Sequence, residues 1–164
     1  QVEHPITELT TGFDLVEWQV RIAANEKLNF AQNDIKVRGH AIECRINAED
    51  PEHNFLPSPG LIEKLHWPQA SSDGPVRIDT YVEQGLRIVP FYDSLVAKVI
   101  TYGKDRKEAL KRMKQTLEET SIEGIHTTLD FHKAIIEEES FMKGTYDCSF
   151  IEKNFDSLIK RARS

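Results

Sequence analysis

The sequence has little cysteine and no long apolar run. Its two cysteines among 164 residues, Cys44 and Cys148, stand far apart and lack the spacing of metal ligands, which argues against a disulfide-stapled domain or a cysteine-rich zinc site. No apolar stretch is long enough to cross a bilayer, and no signal-peptide pattern is present. We therefore expect a reduced, cytoplasmic protein that is not embedded in a membrane.

Positive charge is also scarce. The formal net charge is −6, and the only basic cluster is the short run 160–163. Since general nucleic-acid binding requires a basic stripe, this composition argues against it. Hydrophobic content of 39% and charged content of 29% are typical of one globular domain, or of one domain with a piece of another. Because the chain opens on Gln1 rather than methionine, we expect it to be a fragment of a longer protein.

The stretch 39–60 combines a strand pattern with a stiff loop. From 39 to 47 the side chains alternate, which places Glu43 and Arg45 together on a polar face. Three prolines between 51 and 59 then restrict the backbone. An arginine of this kind most often forms a weak surface pair with its acidic neighbour. The alternative is that the loop holds Arg45 still for a functional role.

The opening of the chain predicts an extended stretch followed by a helix. Residues 1–5 end in a proline, which biases the preceding residue towards extended geometry. Glu3 and His4 are adjacent there, and such a pair can provide a general base or a metal ligand but is also common on surfaces. Asp14 predicts a helix cap with an apolar stripe behind it, and Asn25 predicts a left-handed stop.

The polar segment 25–38 separates this opening from the rest, and we place a domain boundary there. Beyond it, alternating apolar residues predict antiparallel strands at 61–67, 76–82, 86–89 and 95–102. Capping residues and apolar stripes predict helices that begin at Asp105, Thr128 and Asp147. Strands followed by helices indicate an α+β fold, an antiparallel sheet with flanking helices. Lys98, inside an apolar strand, either snorkels to the edge or meets a buried carboxylate such as Asp93, and snorkelling is the commoner outcome.

Five segments together resemble the biotin carboxylase family. They are QVEHPITE at 1–8, RGHAIECRINAEDP at 38–51, FLPSPG at 55–60, FYDSLVAKVITYG at 91–103 and IEGIHTT at 122–128. They follow the family's order along nearly the whole chain. The resemblance implies that residues 1–37 are the C-terminal end of an ATP-grasp domain, which contributes a strand and a helix. It implies that residues 38–164 are the biotin carboxylase C-terminal domain.

The resemblance also implies site residues. Gln1 and the backbone N–H of Val2 would hold bicarbonate, and Glu3 would be the base that removes its proton. Arg45 would face the carbonyl oxygen of biotin, where a planar and permanently charged guanidinium suits developing negative charge. Arg77 stands where the family has an arginine at its subunit interface. No metal ligand is implied within this chain.

Enzymes of that family use ATP, Mg²⁺ and bicarbonate to carboxylate biotin on a carrier protein. The family's ATP-binding and magnesium-binding residues precede the point where this sequence starts, so the resemblance implies that the fragment alone is inactive. The implied partners are a biotin carboxyl carrier protein or domain, a carboxyltransferase and a second copy in a homodimer. The implied context is an acetyl- or propionyl-CoA carboxylase of fatty acid biosynthesis. Alternatives are the same part of a pyruvate or urea carboxylase, a non-catalytic assembly module, or an ATP-grasp ligase of the carbamoyl phosphate type.

Overall fold

The computed structural model describes residues 2–71 and 74–163, which form small antiparallel sheets with helices packed against them. The helices are α1 (Ile6–Thr11), α2 (Leu15–Ala23), α3 (Arg106–Glu119), α4 (Leu129–Ile136), α5 (Glu139–Lys143) and α6 (Phe150–Ala162). The strands are β1 (His40–Asn47), β2 (Glu49–Asp50), β3 (Leu56–Pro57), β4 (Gly60–Leu61), β5 (Lys64–His66), β6 (Val76–Thr80), β7 (Arg87–Ile88), β8 (Leu95–Gly103) and β9 (Ser121–Glu123). The predicted α+β class is confirmed.

The largest sheet has the order β1-β8-β6, with both strand pairs antiparallel. β8 lies in the middle and is mostly buried, as expected for an apolar strand with a neighbour on each side. The register of β1 shifts between Ile46 and Asn47, where a β-bulge interrupts the ladder. β1 therefore changes its pairing directly after Arg45 and Ile46, close to the point where the sequence predicts a functional arginine.

The apolar face of this sheet packs against α3 and supplies the main core. Ile46, Val99, Met113 and Leu117 are fully buried there. Burying one such side chain contributes about 1.5–3 kcal/mol relative to leaving it exposed. A second, mainly aromatic cluster joins α4 to α6, and its buried members are Phe131, Ala134, Ile135, Phe150 and Leu158. The buried residues of both clusters thus lie after residue 38.

Some of the helix starts predicted from the sequence are confirmed. Asp14 accepts a hydrogen bond from the Glu17 backbone at 2.7 Å, and Asp105 caps α3 in the same way. Asn25, at φ 64°, takes the predicted left-handed conformation. The prediction for Asp147 is wrong in position, because α6 begins at Phe150 and the Asp147 carboxylate bonds Ser149 instead.

The prediction of an extended opening is wrong for the described residues 2–5, while Gln1 lies outside the described part of the chain. These residues form turns, and α1 begins directly after Pro5. A proline is compatible with a helix start because its fixed φ suits the first turn and its missing N–H leaves no unpaired donor. α1 is short and rich in threonine, so no periodic apolar pattern announces it.

Two further sequence expectations concern chemistry and membranes. Both cysteines are free, with Cys44 buried in β1 and Cys148 exposed. Burial raises the pKa of the Cys44 thiol to about 12, so this thiol is inert at neutral pH. Within residues 2–71 and 74–163, no helix combines the length and apolar character that a bilayer crossing requires.

Local stability should differ between the opening helices and the central sheet. α1 and α2 contain no buried residue, whereas most of β8 is buried. Because amides exchange through local opening where few apolar contacts resist it, we expect residues 15–23 to exchange faster with solvent deuterium than residues 95–103. Hydrogen exchange read by mass spectrometry measures this. Equal protection of the two segments would contradict the domain boundary at 25–38, which stays a prediction.

Candidate functional site

A cleft of about 540 Å³ lies over the polar face of the central sheet. Its lining includes Glu3, His4, Arg45, Tyr92, Asp93 and Lys98. Two of the residues singled out in the sequence, Glu3 and Arg45, therefore line the same cleft although they are 42 positions apart. The turn at 2–5 that precedes α1 brings the first of them over β1.

A row of charged residues crosses the central sheet from strand to strand, and two of its members, Arg45 and Lys98, line the cleft. Arg45 on β1 pairs with Lys98 on β8, and Lys98 pairs with Asp79 on β6. Since neighbouring strands lie about 4.8 Å apart, the three side chains stand side by side on one face. The ammonium of Lys98 lies 3.6 Å from the Asp79 carboxylate and also donates to the backbone carbonyl of Glu3.

The preferred expectation that Lys98 snorkels is wrong. Its side chain is only 15% exposed, and it meets Asp79 rather than the Asp93 named as the alternative. A buried ammonium is costly unless it is paired and hydrogen-bonded, and Lys98 has both an anionic neighbour and a carbonyl acceptor. The sequence shows a charged residue inside an apolar strand. It does not show which neighbouring strand supplies the partner of that residue.

Arg77 lies two residues before Asp79 on β6 and is engaged within the chain. Its Nε donates to Oδ1 of Asp79 at 2.7 Å, and its Nη2 donates to Oδ2 of the same carboxylate at 3.0 Å. The carboxylate of Glu8 on α1 lies 3.9 Å away. Hydrogen bonding to Asp79 raises the pKa of Arg77, so this guanidinium remains charged. Its predicted place at a subunit interface stays a prediction.

The guanidinium of Arg45 has no ion pair or hydrogen bond with the part of the chain described here, although its backbone is firmly held. Its carbonyl accepts hydrogen bonds from His132 Nε2 at 2.8 Å and from Thr128 Oγ1 at 3.1 Å. The Thr128 hydroxyl also accepts from the Asn47 N–H at 3.0 Å. Thr128 stands at the N-cap of α4, as predicted, but its hydroxyl makes no capping bond. It bonds instead to the backbone of Arg45 and Asn47, on either side of Ile46 at the β-bulge.

Glu43 does not form the surface pair with Arg45 that is common for such neighbours. It stands on the same face, as predicted, but its carboxylate accepts a hydrogen bond from His4 Nδ1 at 2.6 Å. The other ring nitrogen of His4 lies 3.5 Å from the Glu3 carboxylate. His4 was noted in the sequence only as a neighbour of Glu3, because the partner that orients it is 39 residues away.

Glu3 presents a carboxylate that is 67% exposed at the cleft, and Val2 beside it is half-buried. An accessible carboxylate can remove a proton from a bound group, and an uncommitted guanidinium in the same cleft can stabilise negative charge. In the described residues, no cluster of three His, Cys, Asp or Glu side chains is placed to hold a metal ion. The cleft therefore offers acid-base and electrostatic chemistry from its own side chains.

Family models match almost the whole chain. Residues 43–153 match the model described as biotin carboxylase C-terminal domain. Residues 1–31 match the model described as carbamoyl-phosphate synthase L chain, ATP binding domain. The match to residues 1–31 ends inside the polar segment at 25–38, and the match to residues 43–153 begins after it.

Curated relatives and solved structures point the same way. The biotin carboxylase of Haemophilus influenzae is 52% identical over 93% of this chain and 33% of its own length. A pyruvate carboxylase subunit from Methanothermobacter thermautotrophicus is 50% identical over 93% of this chain and 30% of its own. The biotin carboxylase domain dimer of Hydrogenobacter thermophilus 2-oxoglutarate carboxylase, in complex with MgADP, ADP and bicarbonate, aligns with a TM-score of 0.90 at 40% identity, covering 96% of this chain and 34% of that one. The chain spans about a third of the length of these relatives.

His132 should make the stability of the strand that carries Arg45 depend on pH. Although His132 keeps some exposed surface, burial of its ring lowers its pKa, and the hydrogen bond to the Arg45 carbonyl opposes this only in part. The unfolded chain then binds the proton more readily than the folded chain. The free energy of unfolding therefore falls as the pH drops below the unfolded pKa of about 6.5.

We expect wild type to lose stability relative to His132→Gln when the pH is lowered from about 8 to about 5, across the unfolded pKa. The glutamine amide can still donate to the Arg45 carbonyl but does not titrate, so it is a matched reference. Urea denaturation at each pH measures the difference. An identical pH dependence of the two proteins would contradict the expectation.

Proposed function

This chain belongs to the biotin carboxylase family through its C-terminal domain, and from that premise we propose that it is the C-terminal third of an ATP-dependent biotin carboxylase. The reaction transfers a carboxyl group from bicarbonate to biotin on a carrier protein. The observation that supports this function best is the meeting of Glu3 and Arg45 in one cleft. Neither side chain is neutralised by the other, so each remains available to a substrate.

Glu3 acts as the general base on bicarbonate. Its carboxylate is exposed to the cleft, while Lys98 fixes its backbone carbonyl from below. Proton removal from bicarbonate produces the nucleophile that the carboxylation requires. In this proposal the side chain of Gln1 and the backbone N–H of Val2 hold the bicarbonate beside that base.

Arg45 acts on the other reactant. Its guanidinium faces the carbonyl oxygen of the biotin ureido ring, where negative charge develops as the neighbouring nitrogen loses its proton. The backbone bonds from Thr128 and His132 hold the strand in place before the substrate arrives. Electrostatic stabilisation is strongest when the donor needs no reorganisation, and this anchoring supplies that condition.

ATP and Mg²⁺ are held by other parts of the full-length protein. In this proposal the described residues take part in no step that passes through the nucleotide. The Hydrogenobacter thermophilus relative with MgADP and bicarbonate supports these ligands for the whole enzyme, and its dimer supports a homodimer. The place of Arg77 at that interface is part of the proposal and rests on the family resemblance alone.

The carboxyl acceptor is acetyl-CoA or propionyl-CoA, in a cytoplasmic complex with a biotin carboxyl carrier protein or domain and a carboxyltransferase. The 52% identical relative is named biotin carboxylase without an acceptor, so this context rests on the family resemblance of the sequence. A pyruvate carboxylase is the second candidate, because the Methanothermobacter thermautotrophicus pyruvate carboxylase subunit is 50% identical over the same share of the chain.

The isolated chain should be inactive. It carries the proposed base and the proposed biotin-facing arginine, but not the residues that hold ATP and Mg²⁺. We expect the purified 164-residue chain to cleave no ATP in response to bicarbonate and to carboxylate no free biotin. Phosphate release measured against a mock purification is the test. Bicarbonate-dependent ATP turnover by this chain would contradict the proposed division of the site.

Glu3 and Arg45 should differ in the step that each supports. In the full-length protein, Glu3→Gln should depress both bicarbonate-dependent ATP cleavage and biotin carboxylation, because the base acts on bicarbonate. Arg45→Gln should slow carboxylation roughly a hundred- to a thousand-fold, while ATP cleavage is largely retained. Both activities are measured side by side on folded protein.

Arg87→Gln is the matched control, since Arg87 on β7 is exposed and does not line the cleft. It should leave both activities near wild type. Arg45→Lys should restore little, because an ammonium on a flexible stem does not reproduce the planar fork. Equal losses of the two activities in Arg45→Gln would show that Arg45 is structural.

A further inference from the structure

Glu43 is a buried carboxylate committed to a single partner. Its side chain is 9% exposed, and one of its oxygens is buried with no hydrogen bond from the part of the chain described here. The other oxygen accepts from His4 Nδ1 at 2.6 Å. Desolvating a carboxylate is costly, and a buried polar atom left unpaired in a folded protein calls for an explanation.

His4 bridges two carboxylates. While Nδ1 faces Glu43, Nε2 lies 3.5 Å from the carboxylate of Glu3. An imidazole has a nitrogen on each side of its ring, so a bond at one nitrogen fixes where the other points. The line therefore runs from the buried carboxylate, through the ring, to the exposed carboxylate at the cleft.

We propose that His4 is a positioning residue that orients the Glu3 carboxylate in the cleft, and that Glu43 holds His4 for this purpose. The inference rests on the proposed function, in which Glu3 is the base. A glutamate that is 67% exposed has several accessible rotamers, and only some of them aim its carboxylate at a bound substrate. Lys98 donates to the backbone carbonyl of Glu3, and in this proposal the His4 ring, with a proton on each nitrogen, holds the end of the Glu3 side chain.

The test is a double-mutant cycle in the full-length protein that carries this chain. His4→Asn places an amide where Nδ1 was, so it can keep the bond to Glu43, but it lacks any group at the position of Nε2. The cycle compares wild type, His4→Asn, Glu3→Gln and the double variant. The readout is kcat/KM for bicarbonate in ATP cleavage, extended by single-turnover measurements, with the KM for free biotin recorded in parallel.

If His4 acts through Glu3, His4→Asn lowers kcat/KM for bicarbonate roughly ten- to a hundred-fold in the wild-type background, a loss typical of a slightly misplaced catalytic group. The same substitution then costs nothing further when Glu3 is already glutamine. The KM for biotin stays unchanged. His53→Asn is the matched control, because His53 also pairs with a carboxylate, that of Asp50 at 2.8 Å, but does not line the cleft.

Glu43→Gln provides a second route if His4→Asn does not fold. It keeps the shape of the side chain and removes the charge that holds the ring, and the same cycle with Glu3→Gln applies. Additive losses in the two backgrounds, or unchanged kinetics in both variants, would overturn the positioning role. A wild-type protein without bicarbonate-dependent ATP cleavage would instead contradict the proposed function, and an active enzyme unaffected by Glu3→Gln would contradict the assignment of the base. Either of these last two results would overturn the positioning role as well.

Discussion

The antiparallel pairing of β1 with β8 is the constraint on which the rest of this structure depends. One face of the pair is apolar and packs against α3, while the other carries Arg45 and Lys98. Side chains alternate strictly along a strand, so a slip of one residue would turn Arg45 into the core and Ile46 out to the cleft. The hydrophobic core therefore fixes which way the charged residues point. Core packing thus determines which charged side chains can reach the cleft.

The charges on the polar face stabilise one another in sequence. Arg77 holds Asp79, Asp79 lies beside Lys98, and Lys98 holds the backbone at Glu3. Each member is partly shielded from water, which makes an unpaired member costly and a paired one strong. Arg45 departs from this pattern, because its guanidinium has no such partner within the described residues while its neighbours do. A cation left uncommitted among satisfied charges is well suited to an anionic or electron-rich substrate atom.

Much of this could be predicted from sequence, where the signal is local. Alternation along 39–47 gave the face of Arg45, and Asp14 and Asp105 marked true helix starts because capping involves residues three apart. The rest depends on pairing between distant strands. The sequence around Lys98 does not indicate that Asp79 is its partner. The sequence around Thr128 does not indicate that its hydroxyl bonds to the backbone at the bulge in β1. The family resemblance supplied roles for Glu3 and Arg45, but not the contacts of His4 and Glu43.

The two hydrogen bonds on the Arg45 carbonyl couple distant parts of the chain mechanically. One donor, Thr128, is the N-cap of α4 and the other, His132, lies one turn into that helix, which packs through aromatic side chains against α6. A displacement of α4 along its axis would drag the carbonyl of Arg45 with it, since two donors one helical turn apart allow little independent movement. The stiffness of the cleft wall is therefore set by a helical layer at the far end of the sequence. In this fold the last helices support a strand that lies more than 80 residues earlier in the sequence.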